Sequence, residues 1–142
     1  MPSANPSSFA LRKVLFRREF ALLRELMRLR SAVEGHGDPS SAVYARFTLE
    51  AERLGPRHRK ALLHRIDTVF DGMGTRLVAD VHLSGDETLL LCYTVMGLDA
   101  DLIADLMELP GAGSVHSRRY RLKRKIRLHG GPRRAEYLEF IE

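Results

Sequence analysis

A chain of 142 residues, 44% of them apolar, is long enough for one compact domain with a buried core, with or without a helical extension. Charge is unevenly placed: the chain carries 23 Lys/Arg against 18 Asp/Glu, yet residues 114–134 hold nine of the bases and no acid, so the net excess of +5 resides there. A lone Cys92 excludes an internal disulfide and a thiolate metal cluster, and apolar runs such as Leu89–Tyr93 fall far short of the roughly 20 residues of a membrane helix.

The opening segment, MPSANPSSFALRK, has neither the charged-then-apolar order nor the cleavage site of a secretory signal, so the reducing cytoplasm is the expected compartment. Residues 1–10, rich in Pro, Ser and Asn, read as a disordered end. A helical pattern follows from Leu11 to Val33. Leu15, Leu22 and Leu29 recur every seven residues, and Leu26 and Val33 lie four beyond the last two, which is the spacing of a coiled-coil seam. Arg12 and Glu19 interrupt the other half of that seam. Two readings stay open for residues 11–65: a helix packed on its own domain, and a region that dimerises through Leu15, Leu22, Leu26 and Leu29.

Asp38 followed by Pro39 is a helix start, a capping side chain and then a residue whose missing N–H costs nothing at the first helical position. That second helix is expected to run to Leu54, where Gly55 and Pro56 stop it. A third is expected from about Arg57, with Leu62, Ile66, Val69, Phe70, Met73 and Leu77 on one apolar stripe. Gly72 and Gly74 predict a bend or break near its middle. No strand-like alternation of useful length occurs, so the fold class is all-α.

From Leu83 the helix punctuation is dense. In LSGDE, Ser84 stands three residues before Glu87, a capping box in which hydroxyl and carboxylate each satisfy an orphan backbone N–H. The helix continues through TLLLCYTVM to Gly97, a left-handed stop. Asp99 is expected to cap a short helix containing Leu102, Ile103, Ala104 and Met107, closed by Leu109 and Pro110. Ser114 is expected to cap a basic helix ended by Gly130 and Gly131, and Pro132 to start a last helix with Tyr137, Leu138 and Ile141 on its apolar side.

At about 100° per residue, Val115, Leu122 and Ile126 of the basic helix share a narrow sector, with Arg119 beside them, which has to face the domain. His116, Ser117, Tyr120, Arg121, Arg124 and Arg127 project oppositely, and Arg118, Lys123 and Lys125 flank them. Like charges at i,i+4 repel by about a few tenths of a kcal/mol per pair, which points to an anionic partner. Nucleic acid is the first such partner, an anionic membrane or acidic protein the next, and a merely solvated face the remaining reading. A short helix, a turn and a helix with a basic outer face fit the helix-turn-helix arrangement, in which the second helix enters the major groove.

The segment from Ile66 to Glu142 resembles the LuxR-type helix-turn-helix effector domain. Leu83, Ser84, Glu87, Leu90, Leu91, Gly97, Leu98, Ile103, Ala104 and Met107 fall at positions similar to that family's opening and scaffold helix, and SVHSRRYRLKRKI is similar to its recognition helix. RYRLKRK and the later EYLEFI resemble more closely the branch that ends bacterial tetratricopeptide-containing regulators. The resemblance implies a four-helix DNA-binding domain over residues 66–142, with contacts at Ser114, His116, Ser117, Tyr120 and Arg121. Two departures stand out: Asp99 and Asp101 occupy positions where the family commonly has Ser or Thr and then Lys, and PGAG is one residue longer than the usual turn.

Enzyme chemistry is not expected. The six His are scattered, His58 and His64 lie six apart and share no metal face, and GMG and GAG are too short for a phosphate loop. The expected function is sequence-specific transcriptional regulation by a cytoplasmic homodimer on double-stranded DNA, without metal, cofactor or membrane. The 114–128 helix would read the major groove through Ser114, His116, Ser117, Arg118, Tyr120, Arg121, Arg124, Lys125 and Arg127. The alternative is a helical protein-interaction module whose degenerate helix-turn-helix no longer binds DNA. Its partner is not indicated.

Overall fold

The structure, a computed structural model, describes residues 6–21, 24–25, 49 and 52–142. Among these residues all regular structure is helical: α1 (Pro6–Arg18), α2 (Arg59–Phe70), α3 (Met73–Val81), α4 (Gly85–Val95), α5 (Ala100–Leu106), α6 (Ala112–His129) and α7 (Arg134–Ile141), with 3-10 turns at Pro56–His58 and Gly131–Arg133. No helix among them is long and apolar enough to cross a membrane. The all-α expectation is borne out. Leu22, Leu26 and Leu29, and nearly all of the helix expected between Pro39 and Leu54, lie outside the described residues.

The centre of the molecule is α4. Its sequence offers no polar stripe, and every residue from Thr88 to Val95 is buried. A helix apolar on all sides has to be enclosed, and α2, α3, α6 and α7 all pack against it. The capping box is formed: Ser84 N–H donates to Glu87 Oε1 at 2.9 Å and Glu87 N–H to Ser84 Oγ at 3.1 Å. Tyr93 donates its hydroxyl to the Leu54 carbonyl, which fastens the chain ahead of α2 to the core. Cys92 is the small core residue its neighbours suggest, its thiol pushed up to about 12 by burial.

Four successive helices end the same way. The residue after the last turn is left-handed and the next N–H bonds five residues back: Gly72 to Asp67 (2.9 Å), Leu83 to Val78 (3.1 Å), Leu98 to Tyr93 (3.2 Å) and Leu109 to Ala104 (2.8 Å). This is the Schellman closure, which satisfies carbonyls the helix leaves orphaned. Its left-handed residues are Asp71, His82, Gly97 and Glu108, with φ of 57, 58, 76 and 56°.

The first of these closures turns the bend expected near Gly72 into a complete break between α2 and α3. Asp67 then caps α3, accepting from the Thr75 N–H at 3.0 Å and from the Thr75 hydroxyl. Gly74 permits the close approach, since a Cβ there would stand 2.8 Å from Leu63 Cδ1 and 2.9 Å from Asp67 Oδ1.

The amino-terminal helix departs from expectation in two ways. It begins at Pro6, inside the segment read as disordered, because Phe9 has a place to pack: its ring lies 5.8 Å from Phe70 and 6.5 Å from Phe140. It also closes at Arg18 instead of running on unbroken toward Val33, with tightened bonds from Glu19 N–H to Phe16 O and from Phe20 N–H to Arg17 O, both 3.1 Å. That turn sets Phe16 and Phe20 side by side in the core, 5.3 Å apart and edge-on. Leu15, by contrast, is 53% exposed, with Leu11 and Val14 exposed beside it. Thus α1 packs on its own domain through phenylalanines and turns its leucines outward.

Phe70 joins three of the other rings, touching Phe9, Phe16 and Phe140 at 5.8, 5.6 and 5.2 Å. Each such pair adds roughly 0.5–1.5 kcal/mol beyond burial. Phe70→Ala is therefore expected to cost about 3–5 kcal/mol in urea unfolding. A loss below about 1 kcal/mol would show that this cluster does not hold α1 and α7 to the core.

Candidate nucleic-acid interface

The short α5 buries Leu102, Ile103 and Ala104, and α6 buries Val115, Leu122 and Ile126; the two helices pack together across the turn at residues 107–111. The turn opens with the left-handed Glu108 and passes through Leu109, Pro110 and an extended Gly111. The apolar sector of α6 is the one its spacing indicates.

Two cations on α6 fix its orientation. Arg119, half-buried beside the apolar sector, donates from Nε to Thr94 Oγ1 and from Nη2 to the Leu98 carbonyl, both at 3.3 Å. Lys125 donates to Glu87 Oε1 at 2.9 Å and to the His82 carbonyl at 3.1 Å. Since Arg119 grips the carboxyl end of α4 and Lys125 its amino end, α6 runs antiparallel to α4.

The opposite side of α6 is solvent-facing. His116, Ser117, Tyr120, Arg121, Arg124 and Arg127 are all exposed, with Tyr120 at 65%. Ser114 and Arg118 are half-buried on the edge of that face. Among the described residues no carboxylate pairs with Arg118, Arg121, Arg124 or Arg127. Ser114, Ser117, Arg118 and Arg121, with Leu109, Pro110 and Gly113, line a shallow concavity of about 450 Å³ where the turn meets α6. An anionic oxygen brought there meets two guanidinium groups and two hydroxyls.

Three expectations need correction. Ser114 does not cap α6, which starts at Ala112 after Gly111; the serine sits inside the first turn, its N–H bonded to the Gly111 carbonyl at 3.1 Å. Asp99 occupies the cap position of α5, but its side chain makes no capping bond and stays exposed, as does Asp101. Lys125 is half-buried and held by Glu87 and His82, so its charge serves the core side of α6.

The role of Arg119 was legible only in part, from its place beside the apolar sector; its partners lie 21 and 25 residues away. Leu109 and Pro110, which wall the concavity, carry no signal beyond helix punctuation. Among the described residues no group of three or more His, Cys, Asp or Glu is placed to hold a metal ion.

No family model, curated protein or solved structure matches the chain.

Glu87 joins the first turn of α4 to Lys125 of α6, and its charge is sensitive to acid. Partial burial opposes ionisation, but the Ser84 N–H, the Lys125 ammonium and the Ser84 hydroxyl outweigh it and hold the carboxyl below its ordinary value. A depressed folded-state pKa gives stability that is present above the unfolded value and lost as pH falls through the folded one. Over roughly pH 6 to 3, Glu87→Gln should lose less stability than the parent chain in urea titrations. Identical pH profiles would remove Glu87 as a source of acid sensitivity.

Proposed function

We propose that this protein is a DNA-binding transcriptional regulator whose α6 enters the major groove, on a domain of the LuxR-like helix-turn-helix type. The observation that carries the reading is the outer face of α6, where Arg121, Arg124 and Arg127 stand exposed beside His116, Ser117 and Tyr120 without a compensating acid. Exposed cations that repel one another gain most from a polyanion, because each phosphate they neutralise releases condensed counterions. Arg can also read guanine through two parallel bonds, while Ser, His and Tyr add hydrogen bonding near the start of the helix. Ser114, Ser117, Arg118 and Arg121 would take a backbone phosphate in the concavity beside the turn.

Such a reader acts in the cytoplasm, and pairing of two copies would suit a two-fold site. The outward stripe of Leu11, Val14 and Leu15 on α1 supports pairing, with Leu22, Leu26 and Leu29 continuing the repeat in sequence.

A second reading is favoured by the acids on α5. Because Asp99 is not consumed as a cap and Asp101 is exposed, the helix that precedes the basic one begins with two solvent-facing carboxylates. On this reading the same domain is an interaction module that repels DNA.

The deciding experiment titrates mixed-sequence duplex DNA at about 50 to 200 mM salt, with the solution mass recorded in the same samples. Micromolar or tighter binding that falls steeply with salt, by a species of twice 16.1 kDa, is expected. Arg121→Ala with Arg124→Ala should weaken it at least about tenfold and reduce the salt slope by roughly 2. Unchanged affinity and slope would remove this face from the interface. If the parent chain fails to bind even at low salt, Asp99→Lys with Asp101→Lys is expected to create binding, and its failure to do so would sink the second reading's account.

A further inference from the structure

Cations from two separate helices close on the carboxyl end of α4. From α1, Arg17 donates through Nε to the Val95 carbonyl at 3.2 Å, and through Nη2 to the Thr94 carbonyl at 3.4 Å and the Glu142 main-chain oxygen at 3.3 Å. From α6, Arg119 reaches Thr94 Oγ1 and the Leu98 carbonyl. Lys123, one turn further along α6, is half-buried and makes no hydrogen bond or ion pair among the described residues. These three side chains, with Thr94, Gly97 and Glu142, line a half-open cavity of about 260 Å³.

Carbonyl capping accounts for part of this cluster only. The Nη1 groups of Arg17 and Arg119 take no part in those bonds, and the Lys123 ammonium brings three further donors. Glu142 is the sole acid in the lining, against three cations. The guanidinium groups also sense crowding: burial first, then the charge of Arg24, lowers the pKa of Arg17, and burial first, then the charge of Arg17, lowers that of Arg119 against the opposing pull of Asp99. An anion in the cavity would relieve that repulsion and take up the remaining donors.

We infer that the cavity between Arg17, Arg119 and Lys123 is a binding site for a doubly charged phosphate group, free or as the terminal phosphate of a small ester. The free Nη1 groups of two guanidiniums and one ammonium offer donors from three separate side chains, which suits an anion presenting three or more oxygens better than a carboxylate with two. The cavity lies on the side of α6 that faces the domain, set apart from the outer face by the helix itself, so the site does not depend on the DNA reading. Occupancy would add a bridge between α1 and α6.

Thermal unfolding of the full chain, without DNA, tests this. Inorganic phosphate at about 10 mM, acting with a dissociation constant on the order of 1 mM, should raise Tm by roughly 3–5 °C above chloride of equal ionic strength. Lys123→Gln, which breaks no internal bond, should weaken the apparent affinity about tenfold and leave a shift near 1 °C. Phosphate also stabilises proteins by exclusion from their surfaces, an effect that Lys123→Gln would leave intact.

Adenosine monophosphate in a parallel arm separates the sources. A shift with both ligands assigns the site to a phosphate group that can carry an ester, and a shift with inorganic phosphate alone assigns it to the free anion. No shift beyond chloride with either ligand, or an equal shift in Lys123→Gln, overturns the inference.

Discussion

A helix buried along its sides has to find partners for its last carbonyls mainly within the protein, and here that constraint falls on α4. The carbonyls of Thr94 and Val95 accept from Arg17, that of Gly97 accepts from Arg24 at 3.1 Å, and that of Leu98 accepts from Arg119. Each donor is a cation at the negative end of a helix dipole, the favourable sign. At the other end the Ser84–Glu87 box completes the first turn, and Lys125 completes Glu87. Enclosing one apolar helix therefore recruits α1 and α6, and the same bonds that satisfy α4 place the basic helix. Gly97 belongs to this arrangement: its φ of 76° favours glycine, and a Cβ there would stand 2.8 Å from Arg17 Cδ.

Much of the carboxyl-terminal fold was legible because its signals are local. Ser84 and Glu87 sit three residues apart, Gly97 follows an apolar run, and Gly130–Gly131 ends α6 with Gly131 left-handed at φ 63°. The exact end of α2 was not, because Asp71 takes the left-handed position usually reserved for glycine; His82 and Glu108 do the same after α3 and α5. In α1 the difficulty was competition between two patterns. Leucines at seven-residue spacing and phenylalanines at 9, 16 and 20 both mark helix faces, and the larger rings took the core because Phe70 and Phe140 receive them.

The basic surface shows the same division between short and long range. Helical periodicity separates Val115, Leu122 and Ile126 from Arg121, Arg124 and Arg127 within one segment, so the wheel alone sorts them correctly. Periodicity places Lys125 on a flank but says nothing of a carboxylate 38 residues away. The cap expectations failed for a subtler reason: Asp99 and Ser114 have suitable chemistry, but the backbone around them leaves Asp99 unbonded and places Ser114 within a helix begun two residues earlier. Residue type establishes that a cap is available, whereas only the fold establishes that it is used.

The paired grips of Arg119 and Lys125 also govern how the basic helix can respond to whatever it touches. Six residues of α6 rise about 9 Å, and the two cations hold opposite ends of α4 across that span. Sliding or rolling α6 would break both grips at once and bare the buried Val115, Leu122 and Ile126. The backbone positions from which Arg121, Arg124 and Arg127 extend are consequently held at a fixed spacing, while the side chains themselves are exposed. Adjustment on this face is therefore left to the side chains, because the helix that carries them has no room to shift.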